Sequence, residues 1–248
     1  MITTENITLE QAKLCQSLKS MHLASMSEIL RQQFANPNSD LRSFEDRIQE
    51  IINAECDSRY NRKLTRFVKE ADLKFPYASF DEKLNLPERK IDVQMLEQLQ
   101  LCTWIDEGKN LLITGATGTG KTYVSNALAM CALQRFKTVH YFRAEKFIQK
   151  YDKEKVLNTE LDFENEMADL DLLIIDDFGL MELDVRKTRS LLNVIESRDT
   201  RKSTIIISQF PVDKWYGFFK NSTYADSLMD RILSKSYKLE FSGPSLRN

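Results

Sequence analysis

Leu111–Thr122 reads LLITGATGTGKT, and its chemistry dictates what surrounds it. Gly115, Ala116, Thr117, Gly118, Thr119, Gly120, Lys121 and Thr122 make a full G-x-x-x-x-G-K-[ST] match. The apolar run Leu111-Leu112-Ile113 leads into the loop as a strand does, and YVSNALAMCALQRF follows it with the pattern of a helix. In that context the loop's backbone N–H groups, at a helix N-terminus, surround phosphate oxygens with partial positive charge. Lys121 then reaches the β- and γ-phosphates of ATP, and the Thr122 hydroxyl is a ligand for Mg²⁺. A glycine-rich turn that only joins strand to helix has no need of Lys-Thr at its end.

The 248 residues suffice for one α/β domain and a small appendage. Hydrophobic residues make up 42% and charged residues 29%, as in an ordinary globular protein. No apolar run approaches the roughly 18 residues of a membrane span, and MITTENITLEQAK has neither the basic nor the apolar region of a signal peptide, so a cytoplasmic protein is expected. Cys15, Cys56, Cys102 and Cys131 are widely spaced in helix-like apolar patterns, which predicts buried thiols rather than disulfides or zinc. The net charge of −2 offers nucleic acid no global attraction, so DNA binding requires a local basic surface.

All seven glycines lie at Gly108 or later, and the charge-rich stretch before them reads as helical. Thr8 with Gln11 forms a capping box for a first helix carrying Leu9, Leu14, Leu18 and Met21. A second helix covers Met26 to Phe34 and ends at Asn36-Pro37-Asn38. Ser43 with Asp46 begins a third, whose apolar stripe runs through Phe44, Ile48, Ile51, Ile52, Tyr60, Leu64, Phe67 and Val68. Along it Arg59, Arg62, Lys63, Arg66 and Lys69 recur at i+3, i+4 and i+7, a ridge that can lie along DNA phosphates or be an ordinary solvated face. Phe75-Pro76-Tyr77 breaks the pattern, which sets a helical domain at 1–74 and an ATPase domain at 75–248. Pro87 precedes a further helix over Asp92 to Glu107.

Beyond the loop, Thr138 to Phe142 reads as a strand, Ala144 to about Lys155 as a helix, and the acidic Asn158 to Asp169 as an exposed helix. Leu172-Leu173-Ile174-Ile175 suits a buried parallel strand, and the Asp176-Asp177 that closes it falls on the ligand edge of an open α/β sheet. Asp176 is the expected Mg²⁺ carboxylate and Asp177 the group that polarises the attacking water. The strand between the two nucleotide motifs favours the extra-strand class of P-loop ATPases. A helix over Asp184 to Arg198 leads to Ser203 to Ile207, closed by Ser208-Gln209, where a polar side chain can reach the γ-phosphate or merely end a strand. Trp215 and Tyr216 read as packing aromatics, Asp230-Arg231 sits in a helix, and Tyr237 to Phe241 is a last strand with too few residues after it for a helical lid. His22 and His140 are isolated and receive no catalytic role.

GATGTGKT, LLIIDDFGL, STIIISQFPVDKWY and LMDRIL, with GPSLRN at the end, together resemble the IstB family, ATPase helpers of the transposases of two-gene insertion sequences, which are similar to DnaC-type helicase loaders. The resemblance implies an AAA+ core, a parallel sheet flanked by helices without a full C-terminal lid, behind a small all-α N-terminal domain. It implies ATP-dependent homo-oligomers on duplex DNA that deliver target DNA to the transposase encoded by the same element, with a helicase-loading role as the alternative. Residue by residue it implies Walker A at Gly115–Thr122, Walker B at Asp176 and Asp177, sensor 1 at Gln209 and the box VII arginine at Arg231. Two departures stand out. Asp177 replaces the usual Glu and Gln209 the usual Asn, so slow turnover or a nucleotide-gated scaffold is a further reading. A small-molecule phosphotransferase would need a lid and an acceptor pocket that the sequence does not display.

Overall fold

The computed structural model describes residues 7–80, 91–220, 222–243 and 245. Pro87 and most of the closing GPSLRN lie outside the described residues. The chain divides into two compact units, Met1–Thr65 and Arg66–Asn248.

The first unit holds α1 (Leu9–Ser20), α2 (Ala24–Ala35), a 3₁₀ turn at Pro37–Leu41 and the start of α3 (Phe44–Glu70). The Thr8–Gln11 capping box forms in both directions, and Ser43 Oγ accepts from the Asp46 N–H at 3.1 Å to open α3. The unit's core is thin, with Cys15 and Ile51 buried and Ser27 Oγ donating to Cys15 O at 2.9 Å. The apolar stripe of α3 is buried at Ile51 and half-buried at Leu64, Phe67 and Val68, whereas Phe44 is 70%, Ile48 37% and Ile52 43% accessible. Periodicity alone does not say that a second layer lies over a helix face.

The second unit begins before the expected boundary at Phe75, because the end of α3 and the segment behind it belong to its packing. Ala71 and Leu73 are buried, Ala71 O accepts from Tyr141 N at 2.9 Å, and Phe75 N donates to Asn126 Oδ1 at 2.8 Å. The single helix expected over Asp92–Glu107 is two, α4 (Val93–Gln100) and α5 (Thr103–Asp106). Cys102 breaks it at φ 62, a left-handed turn that buries Trp104 and lets its indole N–H reach Leu99 O at 3.0 Å.

Then follow β1 (Asn110–Gly115), α6 (Lys121–Gln134), β2 (Val139–Arg143), α7 (Ala144–Val156), α8 (Glu160–Asp169), β3 (Leu172–Asp176), α9 (Val185–Arg198), β4 (Ser203–Ser208), a 3₁₀ stretch at Val212–Phe218, α10 (Ser222–Leu233) and β5 (Ser236–Phe241). The strands form a parallel sheet in the order β2-β3-β4-β1-β5. β4 therefore separates the glycine-loop strand from the Asp-Asp strand, the extra-strand arrangement read from the motif order. Leu111, Leu112, Ile113, Leu172, Leu173 and Ile174 are inaccessible to solvent, as continuous apolar runs in a sheet covered on both faces must be.

Several local expectations need correction. The acidic α8 is exposed on one face only, since Phe163 and Met167 are buried. Trp215 is fully buried against Phe178 with ring centroids 4.9 Å apart, whereas Tyr216 is half exposed. Cys56 is exposed, Cys131 is intermediate, and only Cys15 and Cys102 are buried; burial pushes the Cys102 thiol up to about 11. Arg198 is buried with its guanidinium on Ser203 O at 2.5 Å, Leu170 O at 2.8 Å and Met167 O, tying α8 and β4 to the end of α9. No helix of the described residues is long and apolar enough to cross a membrane.

Candidate functional site

The site is assembled at the C-terminal ends of the parallel strands, where loops leave the sheet. β1 delivers the glycine loop. Gly115 takes φ 139, and a Cβ there would lie 2.1 Å from Phe241 O on β5, so the strand pair closes only around glycine. Gly120 takes φ 97 and precedes α6 without a side-chain cap, which leaves the first-turn N–H groups of a 14-residue helix facing the loop. This is the geometry that binds phosphate.

Inside the loop, Lys121 is buried and its Nζ donates to Ala116 O at 2.7 Å, an oxygen that also accepts from Thr119 Oγ1 at 2.8 Å. A carbonyl is a weaker partner for an ammonium than an anion is, so a phosphate entering the loop can take its place. Thr117 Oγ1 donates to Gln209 Oε1 at 2.7 Å, which brings the end of β4 onto the glycine loop. Of the two polar residues that close β4, Ser208 turns inward to Phe178 O at 2.7 Å and Gln209 faces the loop.

β3 delivers the carboxylates. Asp176 is 2% exposed; its Oδ2 accepts from Thr122 Oγ1 at 2.8 Å and from the Tyr141 hydroxyl at 2.8 Å, and its Oδ1 from Asp177 N at 2.7 Å. A hydroxyl and a carboxylate at the loop's mouth are hard oxygen donors of the kind Mg²⁺ takes together with phosphate oxygens. The pair fits that ion. Among the described residues no cluster of three or more His, Cys, Asp or Glu could hold a metal by itself. Asp177 leaves the strand at φ 59, and its Oδ2 pairs with Arg143 Nε at 2.7 Å.

Tyr141 and Arg143 were not anticipated as site residues. Both belong to β2, a strand without a nucleotide motif, and they reach the site because β2 pairs with β3 in a register that sets Arg143 opposite Asp176. Only the neighbour order and register of the strands carry that signal. Burial, with the Asp176 carboxylate beside it, pushes the Tyr141 phenol far up, so it stays protonated and donates.

Arg231, on α10, binds Glu196 Oε1 on α9 at 2.6 Å and Ser227 O at 2.9 Å. In the first unit Arg59 and Arg62 pair with Glu55 at 2.9 and 3.5 Å, and in the second Arg66 pairs with Glu70 at 3.8 Å. The Arg59 hydrogen bond holds the Glu55 carboxyl below the usual range. The side chains of Arg59, Arg62 and Arg66 nonetheless remain 60–65% accessible, and Lys63 and Lys69 are exposed.

The model of the IstB-like ATP binding proteins matches residues 16–248. The chain belongs to that family. It is 30% identical over 230 residues to the insertion sequence ATP-binding protein y4uH of Sinorhizobium fredii, covering 93% of this chain and 92% of that one. It is likewise 30% identical over 197 residues to the ATP-binding protein of insertion sequence IS1162 of Pseudomonas fluorescens, covering 78% and 84%. Among solved structures the DnaC helicase loader superposes with a TM-score of 0.52 at 18% identity, over 71% of this chain and 99% of that one, a likeness of fold. This family member thus carries a P-loop core whose fold is shared with that loader.

Proposed function

We propose that this IstB-like protein is the ATP-dependent DNA-binding helper of a transposase encoded by the same element, assembling as a homo-oligomer on duplex DNA and presenting it for insertion. The observation that carries the nucleotide half is the Thr122–Asp176 contact at 2.8 Å at the mouth of the glycine loop. The loop from Gly115 to Gly120 would hold the phosphates of ATP through its backbone N–H groups, and Lys121 would exchange Ala116 O for β- and γ-oxygens. Thr122 and Asp176 would hold Mg²⁺, which when bound draws charge from the phosphate oxygens. Asp177 orients and polarises the attacking water, Gln209 senses the γ-phosphate from the loop edge, and Arg231 acts on ATP held by a neighbouring protomer. The transposase is favoured over a helicase as partner because relatives matched along nearly the whole chain are insertion sequence proteins, while the DnaC likeness is one of fold alone.

The DNA half rests on Arg59, Arg62, Lys63, Arg66 and Lys69, basic side chains exposed along α3. The Arg66–Glu70 pair is exposed on both sides, contributes about 0–1 kcal/mol and can be replaced by phosphate, while Arg59 and Arg62 hold the buried Glu55 yet keep most of their own side chains accessible to phosphate. Duplex DNA binding in the presence of ATP, measured across a salt series, tests this. Each phosphate contact contributes about −0.9 to the slope of log K against log salt, so Arg62→Ala with Arg66→Ala should flatten it by up to about 2. Base sequence should matter little. An unchanged slope and affinity would return the helix to an ordinary solvated face.

A further inference from the structure

Tyr141 reaches the site from a strand on which Val139 and Phe142 are buried packing residues. A tyrosine 7% exposed on such a strand carries a hydroxyl that is costly to bury without a partner, and its partner is Asp176 Oδ2 at 2.8 Å. Among the described residues Asp176 has three donors, Tyr141 and Thr122 on Oδ2 and the Asp177 N–H on Oδ1. They differ in what anchors them. Thr122 belongs to the nucleotide loop and Asp177 to the turn after β3, whereas Tyr141 stands inside a strand paired residue for residue with β3. The phenol is also neutral. An Arg or Lys at this place would cancel the carboxylate's charge and compete with a cation, while a hydroxyl fixes the oxygen and leaves the charge available.

We propose that Tyr141 is a positioning residue for Mg²⁺: its buried hydroxyl locks the orientation in which the Asp176 carboxylate takes the ion that accompanies ATP. The inference rests on the assignment of Asp176 to Mg²⁺ made above. Its test is the Mg²⁺ concentration needed for tight binding of a fluorescent, non-hydrolysable ATP analogue, measured for wild type, Y141F, D176N and Y151F. Tyr151 is the control, another buried tyrosine whose hydroxyl meets a carboxylate, Glu164, on α8. Y141F should raise the half-saturating Mg²⁺ concentration about 10- to 100-fold, the range found when partners of metal ligands are removed. Its affinity for the analogue in EDTA should equal that of wild type, and Y151F should behave as wild type throughout.

A wild-type Mg²⁺ midpoint in folded Y141F overturns the inference, as does an equal loss of affinity with and without Mg²⁺, which would mark a general disturbance of the loop. D176N separates the two levels. If it abolishes the Mg²⁺ dependence while Y141F does not alter it, the role of Asp176 stands and that of Tyr141 falls. If D176N retains the dependence, both fall. Should Y141F not fold, wild-type protein labelled with ¹³C at the tyrosine ζ carbon carries the test: the Tyr141 resonance must move when Mg²⁺ is added to the nucleotide complex, and a stationary resonance refutes the proposal.

Discussion

Mixing Arg231→Ala protein with Lys121→Ala protein is expected to restore ATP turnover that neither has alone. Arg231 follows the β4 strand and precedes β5, on α10, and its guanidinium rests on Glu196 and Ser227. The Glu196 carboxylate side is 56% exposed, so this pair belongs to the class that contributes about 0–1 kcal/mol. Stabilising charge on a phosphoryl group in transfer is worth far more, about 10³–10⁵ in rate where arginine fingers act. That difference would let a neighbour's nucleotide draw Arg231 off Glu196. In a mixed oligomer the intact Lys121 site of the Arg231→Ala subunit can then receive Arg231 from the Lys121→Ala subunit. Co-assembly is checked first by pull-down. Turnover near wild type in Arg231→Ala alone, or no recovery despite co-assembly, leaves Arg231 as a surface ion pair.

The second large effect separates binding from hydrolysis. Lys121→Ala removes the buried ammonium that the loop presents, and with it charge-assisted bonds of about 1.5–3 kcal/mol each, so ATP affinity should fall on the order of 10²-fold or more. Asp177→Asn keeps the size of the side chain and suits the left-handed φ of 59 at that position, so it should leave affinity near wild type. If Asp177 polarises the attacking water as proposed, the substitution should cost about 10²–10⁴ in turnover. Nucleotide affinity by fluorescence and phosphate release by coupled assay read the two effects independently. Equal loss of affinity in both variants would refute the division of labour between the loop and β3.

Features set by residues close in sequence were legible before the structure. The Thr8–Gln11 box and the Asp184 cap, which accepts from Lys187 N at 2.8 Å, fixed helix starts to within a residue because both partners lie on one turn. The glycine loop, Asp176 and Gln209 were legible because a short local pattern places each at a strand end. The contacts that complete the site were not. Tyr141 and Arg143 depend on β2 lying beside β3, and the partner of Arg231 is Glu196, on a helix that precedes it by a whole strand. The break at Cys102 was missed for a different reason: a non-glycine residue adopts the left-handed turn there, driven by burial of Trp104 and not by any turn-forming residue type. Likewise α3, whose stripe is buried at Ile51 but exposed at Phe44, Ile48 and Ile52, shows that an amphipathic pattern specifies a face and not what covers it.

Electron microscopy of the protein mixed with duplex DNA, with ATP and without nucleotide, tests most directly the claim that ATP assembles this protein on DNA. Wild type with ATP should form multi-protomer particles along the duplex, and wild type without nucleotide or Lys121→Ala with ATP should not. Single protomers under every condition, or the same DNA-bound assemblies with no nucleotide present, would contradict it.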